Sequence, residues 1–167
     1  MTRRAAQRTI LIVGEGTTEV AFLNYLKSIY LTRGCGVSLT VKNGQGGGPD
    51  HVLDRAIRLS QGFDYDLKFV LMDTDIQWSD ALIKKASSKK IYLVGASPCV
   101  EGLMLKIVGR QVLQTSNECK TEFQNFIGKS TTQVESYAGV MPKNVLEQMR
   151  KTIPELDALL NLMCGIK

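Results

Sequence analysis

Apolar runs and helical stripes alternate along the first two-thirds of this chain. Residues 9–13 (Thr-Ile-Leu-Ile-Val) and 67–72 (Leu-Lys-Phe-Val-Leu-Met) are rich in β-branched and large apolar side chains, as strands buried on both faces are. Residues 37–41 and 90–94 read as two further strands. Between them the apolar positions recur at helical spacing: Val20, Phe22, Leu23, Leu26 and Ile29 within 18–29, and Val52, Leu53, Ala56, Ile57 and Leu59 after Pro49, which suits a first helical position. Helices are also expected near 80–87 and over 98–108. This βα repetition predicts a single α/β domain of Rossmann-like type: about four mostly parallel strands joined by right-handed crossovers and flanked by helices.

From about residue 112 the strand signals stop. Residues 118–127 and 142–163 are helix-like, separated by the polar stretch 128–133. The expected organisation is therefore one domain over 1–167, with a core at about 8–110 and a helical C-terminal extension at about 112–167 that caps the same core. A length of 167 residues is sufficient for a core without disulfide staples. Cys35, Cys99, Cys119 and Cys164 are scattered, form no C-x-x-C pair and have one histidine for company, so they read as reduced, mostly buried thiols of a cytoplasmic protein. Arg3, Arg4 and Arg8 precede an apolar stretch that Glu15 ends after five residues, too short for a signal peptide or a membrane span. The net charge of +5 permits a nucleic-acid partner without requiring one.

Chemistry concentrates where two strand-like runs end. Gly14-Glu15-Gly16-Thr17-Thr18-Glu19 follows the first run and Asp73-Thr74-Asp75 follows the third. In open α/β sheets the carboxyl ends of the strands are where ligands gather. Asp73 and Asp75, two apart on an extended segment, are expected to point to one side. Close carboxylates repel, and a bound cation stabilises both in the charged form. Magnesium suits such a set because it takes one or two protein carboxylates and leaves positions for water and phosphate oxygens. Glu15 completes the set if the first and third strands are neighbours. In the plainer alternative, Asp73 or Asp75 caps the next helix and Glu15 is a loop residue.

Three segments carry a family resemblance: Val13-Gly14-Glu15-Gly16-Thr17-Thr18-Glu19, Val70-Leu71-Met72-Asp73-Thr74-Asp75 and Ser97-Pro98-Cys99-Val100-Glu101. In this order they resemble the TOPRIM domain of topoisomerases, bacterial primases and OLD-type nucleases, and most of all its RloB-like branch, small proteins associated with phage-defence loci. The resemblance implies Glu15, Asp73 and Asp75 as the acidic catalytic and metal-holding set, with Mg2+ as cofactor and Mn2+ as a substitute. Nothing in the chain supports topoisomerase or primase activity, which leaves a metal-dependent nuclease acting on DNA or RNA. The alternative is a non-catalytic module that binds nucleic acid or a partner ATPase in a defence complex.

Secondary candidates surround this set. Glu19 and Glu101 could support the metal ligands, although each also suits the first turn of a helix. Gly46, Gly47 and Gly48, in the glycine-rich loop before Pro49, could present N–H groups to phosphate, but the Gly-Lys-Ser/Thr ending of a P-loop is missing. Lys84 and Lys85 could meet a backbone phosphate if their helix follows the Asp73 strand closely. His51 reads as a surface residue, Tyr92 as a sheet residue, and Trp78 is a possible stacking partner.

Overall fold

The structure is a computed structural model that describes residues 7–166; Arg3 and Arg4 lie outside that range. Strands β1 (Arg8–Gly14), β2 (Val37–Asn43), β3 (Leu67–Asp73) and β4 (Tyr92–Ala96) form one sheet in the order β2-β1-β3-β4, every pair parallel. Helices α1 (Thr17–Tyr30), α2 (Pro49–Leu59), α3 (Asp80–Ser88) and α4 (Val100–Ile107) follow the four strands in turn, and α5 (Ser116–Ile127), α6 (Lys143–Met149) and α7 (Pro154–Met163) complete the chain. No helix among the described residues is long and apolar enough to cross a membrane.

Alternation along the strands divides the core in two. Ile10, Ile12, Phe69 and Leu71 face one side, where α1, α4, α5, α6 and α7 bury Phe22, Leu26, Leu103, Phe123, Leu146 and Leu160. Leu11, Val13, Val70 and Met72 face the other, covered by α2 and α3 through Val52, Leu53, Leu82 and Ala86. The C-terminal helices are therefore part of the main core. Tyr137 anchors them: its ring packs edge-on to Phe22 at 5.9 Å, and its hydroxyl donates to the carbonyl of Thr131.

Two expected boundaries shift. The helix read over 142–163 is two helices, because Pro154 has no N–H to donate and holds Ile153 extended (φ −115°, ψ 96°), so Pro154 begins a new helix. The fourth strand starts at Tyr92, since Lys90 adopts a positive φ of 54° in the turn closing α3. All four cysteines are free: Cys99 and Cys119 are buried, Cys164 is half-buried and Cys35 is exposed.

The strand order places the candidate chemistry. From β1 the chain steps to β2 on one side, then crosses back to β3 on the other. β1 and β3 are thus neighbours whose outgoing connections part, one to α1 and one to α3 on opposite faces. Such a switch point leaves a crevice at the carboxyl ends of the strands. Glu15 and Asp73 stand there.

Candidate functional site

Glu15 directly extends the β1–β3 ladder. Its N–H donates to the Leu71 carbonyl at 3.1 Å, and its carboxylate Oε2 accepts from the N–H of Asp73 at 2.9 Å. Asp73, the last residue of β3, turns its own Oδ1 to the N–H of Val100 at 3.0 Å, the first residue of α4. Both carboxylates are therefore oriented by backbone donors, each through one oxygen, leaving the second for a ligand. Asp73 does not cap the next helix, α3, which Ser79 caps; its carboxylate instead takes up a free N–H at the start of α4.

Glu19 and Glu101 close in on this pair from the first turns of α1 and α4. Glu19 is 7% exposed, and its Oε2 accepts from the N–H of Gly16 at 2.9 Å. Glu101 is 5% exposed, and its Oε2 has no hydrogen-bond partner. The electrostatic result is strong. Burial first, then the charges of Glu19, Glu15 and Glu101, push the Asp73 carboxyl up to about 8 against the pull of the Val100 N–H. Burial, with Glu101 and Glu15, likewise raises Glu19. Cys99 beside them is pushed up to about 12, chiefly by burial, which disfavours its thiolate.

Asp75 stands apart from these four. β3 ends at Asp73, so the extended geometry that would aim both aspartates alike stops there. The N–H groups of Thr74 and Asp75 turn to the carbonyl of Pro98 at 3.1 and 3.0 Å, after a cis Ser97–Pro98 peptide. Asp75 is exposed, and its Oδ2 accepts from the Ser116 hydroxyl at 2.7 Å. Among the described residues, no group of three or more His, Cys, Asp or Glu side chains forms a ready metal-ligand set. Carboxylate oxygens are nevertheless the donors that magnesium takes, and the excess negative potential at Asp73 is of the kind a cation relieves.

The secondary candidates divide. Gly46 spends its N–H on the Glu15 carbonyl at 2.8 Å, which ties the glycine loop to the site while withdrawing that donor from phosphate. Gln45, Gly46, Gly47 and Gly48 all have positive φ, and His51 donates Nδ1–H to the Gly46 carbonyl at 2.6 Å. Lys85 is held by Asp54 at 2.6 Å, and Lys84 is exposed on the same helix. That helix, α3, covers the sheet face opposite the one that carries Glu19 and Glu101.

Lys120, on α5, is a residue that no motif announced. Burial acts to lower its ammonium, but Glu101, Asp73, Cys99 and Glu19 outweigh it and the group is raised. It is one of 21 Lys and Arg residues, and only the packing of α5 on α4 brings it to the carboxylates. Trp78 also belongs here: its indole Nε1–H donates to the carbonyl of Asp73 at 3.2 Å. Gly95 makes room for it, since a Cβ there would stand 2.7 Å from Thr74 Cγ2 and 3.1 Å from Trp78 Cη2.

Gly14 sets how closely β1 and α1 approach. A Cβ on it would stand 2.8 Å from Glu19 Cβ and 3.2 Å from the Val20 nitrogen. Gly14→Ala is therefore expected to destabilise the protein by about 1–3 kcal/mol, the usual cost of overpacking. Chemical denaturation checks this, and an unchanged midpoint would show that the junction has slack.

Compared with protein-family models, with curated proteins and with solved structures, the chain matches none of them.

Proposed function

We propose that this chain is a TOPRIM-type protein of RloB-like kind that cleaves phosphodiester bonds in nucleic acid with the help of magnesium, in keeping with a role in phage defence. The observation that carries this reading is the meeting of Glu15 and Asp73 on adjacent strand ends, with Glu19 and Glu101 behind them and Lys120 alongside. Four carboxylates and one ammonium at a sheet switch point suit a ligand that combines a cation with a phosphate.

In this reading Glu15 and Asp73 would hold the cation, with Asp75 as a further candidate ligand. A cation bound there would neutralise charge at a phosphate oxygen and lower the pKa of a water. Glu15, oriented by the Asp73 N–H on its Oε2, would accept a proton from that water. Lys120 meets the negative charge of the phosphate, and the Asp73–Val100 contact keeps the metal-holding carboxylate in place.

Incubation of purified protein with end-labelled RNA and DNA tests this. Cleavage is expected with Mg2+ or Mn2+, none with chelator, and a large loss in Asp73→Asn. Cleavage that persists in chelator would refute the reading. Failure to cut any polymer would favour the binding module, with nucleic acid or a partner ATPase as its ligand.

A further inference from the structure

Beyond the Glu15–Asp73 pair the structure has a cleft between the start of α4, the exposed face of α5 and the 129–133 turn. Its lining is Glu101, Lys120, Thr121, Gln124, Asn125 and Thr131, and its volume is about 430 Å³. That size falls within the roughly 300–1,000 Å³ of small-ligand sites. The lining holds no aromatic ring, so the cleft is not built to stack a base. Glu101, one of the lining residues, is 5% exposed, and its Oε2 accepts no hydrogen bond from the protein. A buried acceptor left without a donor is costly, so the cleft calls for a ligand that brings one.

Two classes of donor ligand compete for that oxygen. A second cation is disfavoured by the Lys120 ammonium in the same cleft. A neutral hydroxyl does not meet that repulsion. The cleft opens beside the carboxylates that the cleavage reading assigns to the phosphodiester, and the group attached to a phosphodiester is a sugar. Lys120 is placed for the phosphate, Glu101 for a hydroxyl of the adjoining sugar, and Thr121, Gln124, Asn125 and Thr131 supply polar contacts around it. An internal ribonucleotide offers such a hydroxyl at its 2′ position, and a deoxynucleotide does not.

We propose, resting on the phosphodiester reading above, that this cleft seats one ribonucleotide next to the scissile phosphate and that Glu101 accepts a hydrogen bond from its 2′-hydroxyl, making RNA the substrate. Sites built to bond a substrate hydroxyl reject the analogue lacking it by large factors, because the buried polar group is then left unpaired. Glu101 is thus a specificity-determining residue.

The test uses single-stranded 12-mers of RNA, of DNA, and of RNA with one 2′-deoxy position moved along the chain. Wild-type protein with Mg2+ should cleave RNA at least about 100-fold faster than DNA. One deoxy position should suppress cleavage at its neighbouring bond only. Fluorescence anisotropy with Asp73→Asn in chelator provides a readout without chemistry, in which RNA should bind on the order of 10-fold more tightly than DNA. Glu101→Ala, alone for cleavage and combined with Asp73→Asn for binding, should bring both ratios towards one. Glu101→Gln, which keeps the size and one acceptor oxygen, should fall between and covers the case in which the alanine variant does not fold. Equal handling of RNA and DNA by wild type, or an RNA preference that neither Glu101 variant moves, would overturn the inference. So would an equal loss on both polymers that excess Mg2+ restores, which would make Glu101 a cation ligand. Failure of the cleavage reading looks different: no metal-dependent cutting of either polymer, with the binding ratios still deciding the role of Glu101.

Discussion

Glu15→Gln is expected to lower the cleavage rate by on the order of 10²- to 10⁴-fold, the range for loss of a general acid–base group, while the fold and nucleic-acid binding survive. The expectation of an intact fold rests on one contact. Glu15 Oε2 accepts from the Asp73 N–H at 2.9 Å, and the glutamine carbonyl oxygen can accept the same bond. What is lost is the ability to take a proton, together with part of the affinity for a hard cation. Single-turnover rates across a magnesium titration separate the two losses: a deficit that saturating metal repairs belongs to binding, and one that persists belongs to proton transfer. Wild-type rates in this variant would remove Glu15 from the chemistry.

The second large effect is on stability and depends on pH. Asp73 ordinarily titrates near 3.8, and in the metal-free fold it is pushed up to about 8. The groups that face it are Glu15 from β1, Glu19 from α1, Glu101 from α4 and, with opposite sign, Lys120 from α5. Below about pH 4 both folded and unfolded states hold the proton, and the group costs nothing. As pH rises from there towards 8 the unfolded chain releases the proton while the folded one retains it, so stability falls; above 8 the full penalty is present. Asp73→Asn removes the penalty and keeps an acceptor for the Val100 N–H. In chelator the variant should therefore match wild type near pH 4 and exceed it at pH 9. Allowing for partial exposure, the gain is on the order of 2–4 kcal/mol, or roughly 5–15 °C in Tm for a chain of this size. Magnesium should reverse the order at pH 8, since a ligand bound only by the native state stabilises it by mass action and the variant binds it poorly. A Tm difference that does not change with pH would contradict the burial and crowding assigned to Asp73.

Much of the fold was legible because buried parallel strands are almost uniformly apolar and the helices between them carry one-sided stripes. Val13 and Met72 mark where β1 and β3 run out, so Glu15 and Asp73 were identifiable as strand-end residues. That β1 and β3 are neighbours follows from the strand order, which no local pattern encodes. The reading of Asp75 depended on β3 continuing, and the turn held by the Pro98 carbonyl could not be seen in a two-residue spacing. Glu19 and Glu101 had two available roles, helix terminus and site support; the fold places both in the first turns of their helices, with their charges felt at Asp73. Lys120 was invisible because nothing near it in sequence differs from an ordinary solvated helix face. Pro154 carried a signal for the break between α6 and α7, but the apolar spacing on either side overrode it.

Trp78 is the chain's one tryptophan. Its indole N–H is bonded to the carbonyl of the residue whose side chain is most strongly perturbed in the site. Every photon that this protein emits from tryptophan therefore originates one hydrogen bond from Asp73. Its emission is expected to respond when the end of β3 moves, a change readable without labels and on the timescale of mixing.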